Sequence, residues 1–217
     1  MHSDLALLEA WRAGDRAAGD ALFSSYFAAV RRFFLNKVDR SALDDLIQRT
    51  FMACVEGRDR VREDGSFRAY LFGAAHNILR GHYRESRRAR GVVDVDEASV
   101  TELGAGPLTI LGRRQEQRLL LEALRQISLA DQVLLELFYW EQLTGPQLGE
   151  FLGVPENTAR SRLRRARLRL NEALARVAAS DEELTSTRNG LERWAAGLRE
   201  QLRGADRSRA ARALEKE

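Results

Sequence analysis

Leu22, Phe23, Tyr26, Phe27, Val30, Phe33 and Phe34 recur at spacings of three and four residues. An α-helix gathers such a set on one side, whereas a strand would divide it between two faces. The same period returns in Leu43, Leu46, Ile47, Thr50, Phe51 and Cys54, and again in Tyr70, Leu71, Ala74, Ala75, Ile78 and Leu79. Three prolines in 217 residues and few β-branched side chains leave these helices uninterrupted. The pattern therefore constrains the chain to an all-α fold.

The ends of the helices are also written in the sequence. Ser3 is placed to cap a short helix ending near Gly14, and Asp15 to cap the next, which runs to about Val38. Ser41 opens a third helix, and Ser66 caps a long one from Phe67 to about Arg88. Four helices in this span predict a small bundle. Farther along, Gln115–Gln126 carries Leu119, Leu120 and Leu124, and Ser128 with Asp131 marks another start. Val133–Trp140 is almost continuously apolar, which predicts burial. Thr144-Gly145-Pro146-Gln147 has capping-box spacing, and Gly153 is a natural C-cap. A long helix follows from Glu156 to about Val177, completing a helix-turn-helix.

Charge divides the chain into blocks. Residues 1–88 carry 15 cationic against 12 anionic side chains, and residues 113–179 carry 11 against 8. Between them, residues 89–112 hold one cation and four acids, Asp94, Asp96, Glu97 and Glu102, among four glycines and Pro107. That composition predicts a flexible acidic linker. Residues 180–217 balance at 8 and 8. The predicted organisation is a four-helix domain over 1–90, a linker over 91–112, a helix-turn-helix domain over 113–179 and a helical extension over 180–217.

Several function classes are excluded. Cys54 is the single cysteine, so neither a disulfide framework nor a multi-cysteine zinc site can form. The chain has no run of about 18 apolar residues and no signal-peptide pattern, so a cytoplasmic protein without membrane insertion is expected. His2, His76 and His82 lack metal-ligand spacing, and Asp44-Asp45 has no further acids clustered with it. With no phosphate-cradling glycine loop or nucleophile elbow, we expect no catalytic residue, cofactor or metal, and no enzyme activity.

The residues that remain suit nucleic acid. Six arginines fall between Arg160 and Arg169, while Ala159, Leu163, Ala166 and Leu170 form the inward stripe. Such a helix fits the DNA major groove, where arginine forks meet phosphates and the acceptor edge of guanine. The helix from Phe67 is basic at Arg80, Arg84, Arg87 and Arg88, with Phe67, Tyr70, Phe72, His76, His82 and Tyr83 as planar side chains. Unpaired bases stack on such groups, each for roughly 1–3 kcal/mol. Phe67 and Tyr70 fit core positions equally well.

Four segments in order resemble the bacterial RNA polymerase sigma factors of the extracytoplasmic-function type. They are "AWRAGDRAAGDALFSSYF", "LDDLIQRTFMACV", "SFRAYLFGAAHNILRGHYRESRR" and "LTGPQLGEFLGVPENTARSRLRRARLRL". The resemblance covers residues 4–178 apart from the linker. It implies a sigma factor that binds core RNA polymerase through its β′ and β subunits, recognises −35 and −10 promoter elements and promotes initiation. It places Asp45 and Gln48 on the polymerase-docking helix, with Arg49 where the family usually has an acid. The loop Arg58–Ser66 matches the one that pockets a flipped base. Phe67, Asn77, Arg80, Arg84, Arg87 and Arg88 belong to the helix facing single-stranded −10 DNA. Asn157, Thr158, Arg160, Ser161, Arg162, Arg164 and Arg165 belong to the −35 duplex reader. The linker would thread toward the polymerase channels, its acids mimicking nucleic acid.

The extension exceeds the minimal family pattern. Leu184, Leu191, Trp194, Leu198 and Leu202 form one helical stripe, of which Leu191, Trp194 and Leu198 are the expected docking residues. An anti-sigma partner and intramolecular regulation by the tail both stay open. Two other classes compete: a stand-alone helix-turn-helix regulator with a sensing bundle, and a scaffold whose arginine face binds an acidic partner.

Overall fold

The computed structural model describes residues 4–61, 65–87, 94–104 and 115–180, together with Thr185, Arg193, Ala196 and Gly197. Eight α-helices lie in these residues: α1 Asp4–Arg12, α2 Arg16–Leu35, α3 Arg40–Glu56, α4 Phe67–Arg87, α5 Gln115–Leu124, α6 Leu129–Tyr139, α7 Gly145–Leu152 and α8 Glu156–Val177. The described residues contain no strand, only an isolated antiparallel bridge between Ser99 and Ser128.

Four of the expected N-caps form, at Asp15, Ser66, Ser128 and Thr144, while Ser3 lies outside the described residues. The Asp15 carboxylate accepts from the N–H groups of Ala17 and Ala18 at 2.9 and 3.2 Å. The Ser66 hydroxyl accepts from Ala69 N at 3.3 Å, and the Ser128 hydroxyl from Asp131 N at 3.3 Å. Thr144 and Gln147 make the reciprocal capping box. The third helix differs from expectation: it begins at Arg40 with Asp39 at its N-cap, and no side chain caps it.

α1 to α4 pack into the N-terminal bundle, whose core includes Leu22, Val30, Phe34, Leu46, Cys54, Leu71, Phe72 and Leu79. Two aromatic expectations are corrected. Phe27 is 50% exposed, because its ring stacks on Phe51 outside the core, 6.3 Å between centroids. Phe67 is only 3% exposed and packs on Tyr26 at 5.6 Å, so it is a core residue and offers no stacking platform to a strand. Arg58–Arg60 forms a 3-10 turn after α3, and the Arg12 guanidinium ties it to α1 by donating to the carbonyls of Arg58 and Val61.

In the C-terminal unit α8 packs on α5, α6 and α7. Its inner stripe is buried as expected, at Ala159, Leu163, Ala166 and Leu170. The helix-turn-helix corner depends on two glycines. Gly153 adopts φ +64°, a left-handed conformation that strains any residue with a Cβ. Gly149 lies so close to the incoming chain that a Cβ would stand 2.8 Å from the Val154 carbonyl oxygen.

The linker is not the solvated tether its composition suggests, at least over 94–104. Val95, Val100 and Leu103 are buried. The Ala98 and Asp96 carbonyls accept from Leu129 N and Ala130 N at 2.9 and 3.1 Å, and Thr101 N donates to the Arg125 carbonyl. Three apolar side chains among the acids anchor this stretch on the start of α6. Of the extension, Ala196 and Gly197 are helical and half-buried, and a Cβ on Gly197 would stand 3.0 Å from Gln117 Nε2 on α5. The stripe residues Leu191, Trp194 and Leu198 lie outside the described residues.

The two units meet along α4 and α7. Beneath that contact lie charges that the sequence did not single out. Arg32 of α2 donates to both oxygens of Glu141, Nε to Oε1 at 2.9 Å and Nη2 to Oε2 at 3.0 Å, and Arg68 of α4 lies 3.5 Å from the same carboxylate. Lys37 and Glu136 form a second, fully buried pair. Lys37 also donates to the Phe33 carbonyl, and Gln132 donates to Glu136 at 2.8 Å. Burial pushes Lys37 down and Glu136 up from their ordinary values, against their mutual attraction.

Two outcomes test this packing. Gly149→Ala should lower stability by about 1–3 kcal/mol in urea denaturation, because the new Cβ meets backbone that cannot move alone; an unchanged midpoint would refute the tight corner. Burial pushes the Cys54 thiol up to about 12. Iodoacetamide at mildly alkaline pH should therefore spare the native protein and modify one thiol in denaturant, and rapid native alkylation would show an open core.

Candidate nucleic-acid interface

α8 begins where Pro155 ends the turn, and its first three turns project away from the fold. Asn157, Arg160, Ser161, Arg162, Arg164 and Arg165 are exposed, and Thr158 is half-buried. Arg160 is held along the helix by Glu156, which accepts from Nε and Nη2 at 2.8 and 2.6 Å. The arginine run splits into two roles. Arg167 lies over the rings of Phe138 and Tyr139, 4.9 and 5.3 Å from their centroids. Arg169 donates to Asp131 at 2.6 Å. These two fasten α8 to α6, leaving four arginines from Arg160 to Arg165 on the outer face.

On α4 the site residues present a different picture. Asn77 and Arg84 are exposed and Arg80 is half-buried. Arg87 is the last residue of the helix, and Arg88 lies outside the described residues. The Arg80 Nε lies 3.0 Å from Asp96 Oδ2, while His76 Nε2 lies 3.3 Å from Oδ1. Burial would raise the Asp96 carboxyl, but His76, Arg80 and Arg84 outweigh it and hold it below its usual value. Phe151 of α7 rests 5.6 Å from the His76 ring. At the N-terminal end, the Ser66 N–H donates to both Glu150 oxygens, at 3.0 and 2.9 Å. Gln147 Nε2 donates to the Ser66 hydroxyl at 3.0 Å while its own Oε1 accepts from Thr144 N. A cleft between the units is lined by Arg60, Tyr70, Asn77, Ile78, Glu150 and Phe151.

α3 carries Asp45, Gln48, Arg49 and Met52 on one outer face, since positions three, four and seven apart align on a helix. Asp45 and Gln48 are exposed, and Asp45 lies 3.7 Å from Arg49. Met52 is 52% exposed. Thus α3 and α8 each carry their expected residues on their outer sides, and α4 does so for Asn77, Arg80 and Arg84, while Phe67 lies in the core.

Sequence reasoning missed Glu150, Gln147 and Asp96 as partners of α4, and Arg32, Lys37, Glu136 and Glu141 as the contacts beneath. Two signals were available. Glu136 interrupts the apolar run Val133–Trp140, and Lys37 is one of only two lysines among 35 cationic residues. Among the described residues, no group of three His, Cys, Asp or Glu side chains could hold a metal ion. No helix among them is long and apolar enough to cross a membrane.

Comparison with known proteins agrees with this geometry. Residues 22–89 match the family model "Sigma-70 region 2" and residues 117–170 match "Sigma-70, region 4". RNA polymerase sigma factor NccH of Alcaligenes xylosoxydans xylosoxydans is 29% identical over 141 residues, 63% of this chain and 75% of that one. The ECF RNA polymerase sigma factor SigL of Mycobacterium tuberculosis is 27% identical over 74% of this chain and 93% of its own. CarQ of Myxococcus xanthus is 27% identical over 78% and 97%. Among solved structures, CnrH in complex with the cytosolic domain of CnrY superposes with a TM-score of 0.56 at 20% identity, over 81% of this chain and 99% of that one. RpoE in complex with the anti-sigma factor NepR from Bartonella quintana gives 0.54 at 21%, over 72% and 96%. With both sigma-70 regions present in order and likeness over most of the length of such relatives, the chain belongs to the extracytoplasmic-function RNA polymerase sigma factors, which direct promoter recognition and transcription initiation.

Proposed function

We propose that the chain divides initiation among three helices. α3 docks on core RNA polymerase through Asp45, Gln48 and Arg49. α8 reads −35 duplex through Asn157, Thr158, Arg160, Ser161, Arg162, Arg164 and Arg165. α4 takes the −10 strand through Asn77, Arg80, Arg84, Arg87 and Arg88. The domain spans are 1–90 and 113–179, with 91–112 between them and 180–217 as an extension, of which Gly197 lies beside Gln117 of α5. The protein acts in the cytoplasm and leaves covalent chemistry to the polymerase.

The observation that carries this reading is the split of the arginine run on α8. Arg167 and Arg169 are spent on α6, so the helix is fixed in orientation, while Arg160, Arg162, Arg164 and Arg165 face outward over its N-terminal half. A helix that reads bases presents that half to the major groove. Arginine forks supply both phosphate pairing and guanine recognition.

Transcription from a promoter library with purified core polymerase tests the reading. Arg160→Ala with Arg165→Ala should cut −35-dependent output by about tenfold or more and flatten the salt dependence of duplex binding. Undiminished output, or a flat salt response in the unsubstituted protein, would refute it. Asp45→Ala with Gln48→Ala should abolish co-purification of core polymerase while duplex binding persists. Retained co-purification would move docking off α3 and favour a stand-alone regulator.

A further inference from the structure

The outward arginines of α8 are not equivalent. Arg162, Arg164 and Arg165 make no ion pair with another described residue. Arg160 does, with an acid one turn back on its own helix: Glu156 Oε1 accepts from its Nε at 2.8 Å and from its Nη2 at 2.6 Å. The pair is seated on α7 as well. Gly145, the first residue of α7, passes so close that a Cβ there would collide with Glu156 Oε1 and stand 3.2 Å from Arg160 Nε. Both helices of the helix-turn-helix therefore determine where this one guanidinium lies.

An exposed pair of this kind adds little to stability. Its effect is on direction and on charge. A guanidinium can bind through its side edge, Nε with Nη2, or through its end edge, Nη1 with Nη2. Glu156 occupies the side edge, so the end edge is left as a free fork of parallel donors. Guanine presents the matching acceptors, O6 and N7, in the major groove. The carboxylate also cancels the charge that would draw Arg160 onto a phosphate, whereas hydrogen bonding to a base edge depends on where the donors point.

We propose that Glu156 and Gly145 are positioning residues that make Arg160 a selector of guanine in the −35 duplex, read through the end edge of its guanidinium. The proposal rests on the assignment of α8 to that duplex given above. Attraction to the phosphates then falls to Arg162, Arg164 and Arg165, whose charges are not offset by a described acid. One consequence separates this role from that of a simple helix staple. Removing the Glu156 carboxylate strengthens binding to DNA of any sequence and at the same time weakens discrimination at one base pair.

The test assembles the full chain with core polymerase and selects bound sequences from a duplex library randomised across the −35 region, which gives base preference position by position. The unsubstituted chain should prefer guanine at one position where Arg160→Ala loses the preference. There, Glu156→Ala should lower the guanine preference about tenfold, the scale of one bidentate base contact, and leave the other positions unchanged. Its binding to a duplex of unrelated sequence should strengthen, and its salt slope steepen by about one, as the released Arg160 pairs with phosphate. Gly145→Ala keeps the Glu156 charge and displaces only the far end of that flexible side chain, at a glycine whose backbone is not left-handed. Its urea midpoint should not fall, yet the same guanine preference should weaken. A preference that survives Glu156→Ala or Gly145→Ala would overturn the positioning role, as would a loss spread evenly over all sequences. If every preference survives Arg160→Ala combined with Arg164→Ala and Arg165→Ala, the assignment of α8 to the −35 duplex itself fails.

Discussion

The arrangement of the two units depends on placing Glu141 and Glu136 out of water against Arg32, Arg68 and Lys37. A carboxylate loses a large hydration energy on burial and recovers it only when charged donors meet it in good geometry. The bidentate Arg32 fork supplies that geometry for Glu141. Such a contact selects one register sharply, since a small slide would leave Arg32, Lys37, Glu136 and Glu141 buried without partners. Its net contribution to holding the units together is nevertheless small, because separation returns every charge to water.

That constraint changes the meaning of the charge layout. The acids of residues 94–102 look like a solvation device when counted in sequence, and Asp96 is found on Arg80 and His76 instead. Val95, Val100 and Leu103 give the segment an apolar footing on the second unit, so its acid is aimed and not merely present. α4 thus has an acid of its own chain set against Arg80 and His76.

Helix positions, caps and the buried stripe of α8 were legible because each depends on neighbours within about four residues. The capping box at Thr144 and the corner at Gly153 were readable for the same reason. Phe27 and Phe67 were not, since a three-and-four spacing marks the apolar side of a helix without saying how wide its burial will be. The ion pairs were least legible: Arg32 and Glu141 are 109 residues apart, and Lys37 and Glu136 are 99 apart. No local period links such residues. A lysine in an arginine-dominated chain and an acid in an apolar run were the two anomalies that the Lys37–Glu136 pair left behind. The residues expected on α3 and α8 stand at exposed or half-buried positions of single helices, whereas Phe67 of α4 turns into the core.

The division of the arginine run follows from the same physics. An exposed helix carrying six arginines in ten residues repels itself and would lie loosely on a small bundle. Turning Arg167 onto Phe138 and Tyr139, and Arg169 onto Asp131, converts two of those repelling charges into anchors. Arginine suits this double use better than lysine, because its planar, weakly hydrated fork stacks on rings and still pairs with carboxylates. The anchors sit in the C-terminal half of α8, so the N-terminal half projects from a fixed base, and Glu156 restrains Arg160 without covering the helix. Held this way, the N-terminal half of α8 keeps its exposed arginines in one fixed orientation.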